Sequence, residues 1–222
     1  MFRVAVCISG HGSLVEPLLA AAPTIPVEIT CVVADRVDAP GLNSSWADHV
    51  ETICIDRRQF SAARSLGSAG PTDAAGAEHS PSRSPAEQLS DAVLATVRER
   101  ADIVVLAGFL SILKGSILEA YEGRILNIHP ALLPKFGGKG MYGMHVHRAV
   151  LASGEKESGC TVHQVTSGID SGPIVLQSRV PISPDETSDS LQHKVRQTEG
   201  PTLIAALGKL VGSLQCEVRQ GG

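Results

Sequence analysis

Seven short apolar runs punctuate the chain, and helical spacing of apolar residues fills several of the intervals between them. Phe2 to Ile8, Val27 to Ala34, Ile103 to Ala107 and Arg124 to His129 are nearly continuous in apolar character, which predicts strands buried on both faces. Glu51 to Ile55 is a weaker strand signal, and Gly159–Val165 and Ile174–Val180 are placed to pair as a hairpin. Ala- and Leu-rich helical patterns follow the first strand up to Ala22, span Ala86–Arg100, and run from about Thr187 to Leu214, with Asp185 and Thr187 as capping candidates. Strands alternating with helices predict an α/β fold, a mostly parallel twisted sheet with helices on both faces, ending in the hairpin and its following helix.

The pattern lapses once. Between Ser61 and Ala86, nineteen of twenty-six residues are Ala, Gly, Ser or Pro, with neither a helical nor a strand period. Such a stretch buries too little apolar area to offset its ordering entropy, so a mobile surface insertion at 61–86 is expected. A domain boundary there is the rival reading, but the residues before it supply only three strands. A single domain over residues 1–222, interrupted by the insertion, follows.

Composition narrows the function. The 222 residues carry a formal charge of −4 and no block of Lys or Arg, which argues against nucleic-acid or anionic-membrane partners. No apolar stretch approaches the ~20 residues of a membrane span, and the N-terminus lacks the pattern of a cleavable signal. The five cysteines are scattered and without CxxC spacing, as expected of reduced thiols in the cytoplasm. Small-molecule substrates and a monomer or homodimer are the expected state.

The most informative segment is Asn127-Ile128-His129-Pro130. Side chains alternate along a strand, so Asn127 and His129 leave the same face, and Pro130, lacking an N–H, ends the ladder. Further on, Ile169-Asp170-Ser171-Gly172-Pro173 places a carboxylate in a tight turn ahead of the last strand. Asn127, His129 and Asp170 together supply an amide donor, a titratable donor and a base, enough for acyl transfer without a covalent enzyme intermediate. Taken singly, His129 also reads as a core histidine and Asp170 as a turn residue.

Gly10-His11-Gly12-Ser13 turns the first strand into the first helix, a geometry that suits a phosphate and serves packing alone in many α/β proteins. It is neither a dinucleotide fingerprint nor a P-loop, since Val15 stands at the third glycine position and no Gly-Lys-Ser follows. His145 and His147 form an HxH pair without an evident third ligand, so no metal is expected. Residues 135–143, rich in glycine and carrying two lysines, read as a loop over the site.

These segments together resemble the formyltransferases that use 10-formyltetrahydrofolate, over nearly the whole chain outside residues 57–86, and within them the branch that formylates glycinamide ribonucleotide (GAR) in purine biosynthesis. The resemblance rests on residues 8–13, Val104-Val105-Leu106-Ala107-Gly108-Phe109, Leu126 through Pro134, and Thr161-Val162-His163 through Pro173. It implies a single Rossmann-like domain, 10-formyltetrahydrofolate as formyl donor, and Asn127, His129 and Asp170 as catalytic residues. It also implies that Gly12 and Ser13 hold a ribose phosphate, that Glu199 contacts the substrate amine, and that Phe109, Leu110, Ser111, Ile112, Leu113 and Gly168 line the pterin pocket. Leu14, Ser111 and Gly200 depart from the residues common there (Asn, Arg and His), and the loop 135–144 is longer than in the familiar bacterial enzymes.

Three other readings share part of this pattern. A formyltetrahydrofolate hydrolase shares Asn, His and Asp but usually carries an N-terminal regulatory domain, whereas this sequence starts at its first strand. A methionyl-tRNA formyltransferase needs a further C-terminal domain and a basic surface. A catalytically silent binding protein would have lost one of the three groups, and all are present.

Overall fold

The computed structural model describes residues 1–62 and 83–220. Seven strands form one sheet in the order β3-β2-β1-β4-β5-β6-β7. They are β1 (Phe2–Ile8), β2 (Val27–Ala34), β3 (Glu51–Cys54), β4 (Ile103–Leu106), β5 (Ile125–His129), β6 (Glu157–Gln164) and β7 (Ile174–Pro181). Neighbours from β3 to β5 are parallel; β6 and β7 are antiparallel to the strands before them. All seven expected strands form. The hairpin β6–β7 is present, and the chain continues beyond it into a long helix.

Because strand residues alternate, the sheet has two apolar faces. Val4, Val6 and Ile8 of β1 and Leu126 and Ile128 of β5 share a core with α1 (Val15–Ala21), α5 (Met144–Ala152) and α6 (Ser188–Gln220). Ala5, Cys7, Val104 and Ile125 face α3 (Pro85–Val97) and α4 (Ser116–Ala120). A short α2 (Arg58–Ala62) follows β3.

Helix starts follow local chemistry. Ser84 caps α3: its hydroxyl accepts from the Glu87 N–H, the Glu87 carboxylate accepts from the Ser84 N–H, and Pro85 fills the first turn. In α6 the Thr187 hydroxyl accepts from the Ser190 N–H; of the two capping candidates, Thr187 takes the role. The expected insertion is corrected at its edges, since 61–62 belong to α2 and 84–86 to α3 and its cap, while 63–82 lie outside the described residues. Among the described residues no helix is long and apolar enough to cross a membrane. All five cysteines are free thiols; Cys7, Cys31 and Cys160 are buried, Cys54 and Cys216 exposed.

Candidate active site

In an open parallel sheet, the crevice opens at the C-terminal strand ends where the strand order reverses. Here the reversal falls between β1 and β4. A cleft of about 500 Å³ lies there, walled by the turn after β1, the segment after β4, the end of β5, the loop 138–143, residues 165–170 and one side of α6. A smaller pocket of about 240 Å³ is lined by His11, Gly12, Ser13, Glu16, Ser44, Ser45 and Trp46. Ser13 lines both cavities.

Asn127 and His129 leave β5 on the side opposite Leu126 and Ile128, as alternation requires. The Thr161 hydroxyl fixes the chain direction past Pro130 by donating to the Ala131 carbonyl (2.7 Å) and accepting from the Leu133 N–H (3.0 Å). The loop that follows returns to the site. The Phe136 carbonyl accepts from His129 Nε2–H at 2.8 Å, an assignment made because a carbonyl only accepts. The Gly138 N–H donates to Asp170 Oδ2 at 2.9 Å. Phe136 and Asp170 are the non-glycine residues with left-handed backbone among those described (φ 57° and 51°), and both touch His129 or its partners.

Two histidines flank the Asp170 carboxylate. His129 Nδ1 lies 3.6 Å from Oδ2 and His163 Nε2 lies 3.6 Å from Oδ1, just beyond direct hydrogen-bond reach. His163 sits opposite Asn127 in the β5–β6 register, donates from Nδ1 to the Gln164 carbonyl (2.9 Å), and accepts at Nε2 from the Asn127 amide (3.0 Å). That tautomer orients the Asn127 amide nitrogen toward His163. Burial lowers the His129 pKa, partly offset by Asp170. Burial alone would raise Asp170, but His163, the Gly138 N–H and His129 together hold it below the ordinary carboxylate value. The resting pair is therefore a neutral imidazole beside an ionised carboxylate.

The structure brings Phe109, Leu110, Ser111, Ile112, Leu113, Gly168 and Glu199 into the same cleft wall as Asn127, His129 and Asp170. Gly12 lines only the smaller pocket. Burial raises the Glu199 carboxyl, and Arg196 partly offsets this. Gln192, Arg196 and Glu199 follow i, i+4, i+7 spacing and form one stripe of α6, while Leu191 and Val195 face the core. Gln192, Arg196, His147 and His163 were not singled out from sequence as site residues; the helical spacing on α6 was the available signal for the first two. His145 and His147 cannot share a metal, because α5 is a helix and residues two apart point to different sides; His147 is buried and His145 exposed. The departures at Leu14 and Gly200 are neighbours: a Cβ on Gly200 would lie 3.7 Å from Pro17 and 4.0 Å from Leu14.

A model of the family described as formyl transferase matches residues 2–207. Phosphoribosylglycinamide formyltransferase of Haemophilus influenzae is 31% identical over 202 residues, covering 90% of this chain and 82% of that protein. The trifunctional purine biosynthetic protein adenosine-3 of Drosophila melanogaster is 35% identical over 213 residues, 94% of this chain but 14% of that protein. This chain thus matches a small part of the trifunctional relatives and most of the bacterial one. Among solved structures, phosphoribosylglycinamide formyltransferase from Brucella melitensis superposes with a TM-score of 0.74 at 36% identity, covering 94% of each chain. Glycinamide ribonucleotide transformylase 1 from Symbiobacterium toebii gives 0.77 at 31% identity, covering 96% of this chain and 89% of that one.

Proposed function

Since the chain belongs to the formyl transferase family, we propose that it transfers a formyl group from 10-formyltetrahydrofolate to the primary amine of GAR in purine biosynthesis. One observation carries the reading: an amide, an imidazole and a carboxylate converge on a cleft that meets a second, glycine- and serine-lined pocket at Ser13. The cleft accommodates the folate and the glycinamide arm, and the smaller pocket accommodates the ribose phosphate at Gly12, Ser13 and the Ser44–Ser45 hydroxyls. The exposed Glu16 carboxylate also lines that pocket, so the anion sits away from it.

In the reaction the neutral amine attacks the formyl carbon and negative charge develops on the formyl oxygen. Asn127 donates to that oxygen with the amide hydrogen not used by His163. The amine proton passes to Asp170, directly or through water, and on to His129 Nδ1, whose N–H then donates to the same oxygen. Collapse of the tetrahedral intermediate returns the electron pair to the carbonyl, and the departing folate nitrogen takes up the proton. Glu199 accepts from the substrate amine before attack, and Phe109 to Leu113 with Gly168 flank the pterin.

The test is formyl release from 10-formyltetrahydrofolate, followed by folate absorbance with and without GAR. Turnover that requires GAR and yields formylated GAR supports the reading. Turnover equally fast without GAR means hydrolysis and overturns it.

A further inference from the structure

Asp35 follows directly on β2, is 1% exposed, and lies outside the set of residues lining either cavity. A carboxylate this deeply buried is costly unless paired and hydrogen-bonded. Its partners come from distant parts of the chain. The Ser111 hydroxyl donates to Oδ2, and Arg57 Nη1 reaches the same oxygen at 3.3 Å. Oδ1 has no partner. The Arg57 N–H also donates to the Asp35 carbonyl, and the Asp35 N–H to the Ile8 carbonyl, so the carboxylate's backbone is fixed from both sides.

Ser111 belongs to the segment after β4, which must cross the end of β1 to reach β2. Its path is pinned in order: the Ser9 N–H donates to the Gly108 carbonyl (3.1 Å), the Leu110 N–H donates to the Ser9 hydroxyl (2.7 Å), and Ser111 bonds Asp35. The Lys114 N–H closes the far end on the Ser90 hydroxyl (2.8 Å). The residues on either side of Ser111 are left outward: Leu110 is 49% exposed and Ile112 44% exposed, and both line the cleft. Branched aliphatics exposed along a cleft wall offer apolar surface to a ligand bound there.

We propose that Asp35, acting through Ser111, is a positioning residue that holds Leu110 and Ile112 as the apolar wall for the folate ring system, and that this pair sets affinity for the folate and not for the amine substrate. The proposal rests on the folate-dependent reading above. With Ser111 drawn inward to the carboxylate, its neighbours cannot turn into the protein; without that bond, the segment loses its attachment to β2 and the wall its fixed geometry.

Ser111→Ala removes the hydroxyl and leaves Asp35 with Arg57. It is expected to raise KM for 10-formyltetrahydrofolate and the Kd for folic acid, measured by titration calorimetry, about tenfold, the value of one hydrogen bond to a charged group. KM for GAR should move less than about twofold. Asp35→Ala should do the same, Asp35→Asn should restore most of the folate affinity because its carbonyl still accepts from Ser111, and the Ser111→Ala/Asp35→Ala double variant should be no worse than Asp35→Ala alone. If Asp35→Ala does not fold, the Ser111→Ala split between the two substrates decides alone. Unchanged folate affinity in Ser111→Ala, or equal loss for both substrates, overturns the proposal. A wild-type chain that binds folic acid but formylates no GAR removes GAR as the acceptor, while the role of Asp35 is still decided by the calorimetry.

Discussion

Asp170 occupies a left-handed backbone position (φ 51°) that Asn tolerates better than most residues, so Asp170→Asn isolates the charge from the turn. That variant and His129→Ala are each expected to lower kcat at least ~100-fold while circular dichroism stays native. Near-normal turnover in either folded variant would end the catalytic assignment. Ser13→Ala should raise KM for GAR about tenfold. Gly12→Val is a poor probe of the same phosphate, because a Cβ there meets the Trp46 ring at 2.8 Å and would test packing.

Protonation adds a stability signature at the same scale. Burial lowers both His129 and His147 below the ordinary imidazole value of about 6.5. The unfolded chain then takes up protons that the folded chain does not, so this stabilisation is complete above about pH 6.5 and fades as pH falls through the unfolded value toward the folded one. Glu199, raised by burial, acts in the opposite sense. The Tm of the wild type should therefore drop more between pH 7.5 and 5.5 than that of His147→Gln; parallel curves would remove His147 from this account. Single residues were legible where chemistry follows one strand's alternation, as for Asn127 and His129. His163 and Asp35 were not, because their contacts are with partners 36 and 76 residues away in sequence.

Elements were legible where their period was long or their burial complete. The central strands show in the sequence because a strand buried on both faces is a continuous apolar run, while the more exposed β3 and β7 show as shorter, mixed runs. Helix α5 was missed: nine residues with Val146 and Val150 as their inward pair, containing the HxH motif and following a glycine-rich stretch, look like loop. Its helical geometry is what separates the two histidines. The hairpin depends on absent side chains at Gly159 and Gly172. A Cβ on Gly159 would sit 1.9 Å from the Ser178 carbonyl oxygen across the β6–β7 pair. Gly159→Ala is expected to cost at least about 2 kcal/mol by forcing these strands apart, and kcat should fall with it because Asp170 follows β6. A thermal melt within a degree of wild type would refute this.

For the whole molecule, the sheet order explains why distant motifs meet. The order reversal places the ends of β1 and β4 side by side, and the antiparallel return of β6 brings His163 opposite Asn127. Strand order is not written in any one segment, so the sequence revealed the motifs but not their contacts. Composition makes a separate prediction: replacing residues 63–82 with a short Gly/Ser linker, keeping the Ser84–Glu87 cap, should shift Tm little, since loop closure depends weakly on length. A large loss of Tm or activity would show that the segment packs or binds.

Helix α6 spans Ser188–Gln220, and its cleft-facing stripe of Gln192, Arg196 and Glu199 runs beside Leu191 and Val195, which anchor it in the core, and continues into the buried Leu203. Substitutions at 192, 196 and 199 alter the wall that meets the substrate, whereas those at Leu191 and Val195 remove buried apolar contacts. A library confined to the three cleft positions would therefore change which small molecule the wall admits while leaving the buried anchors in place.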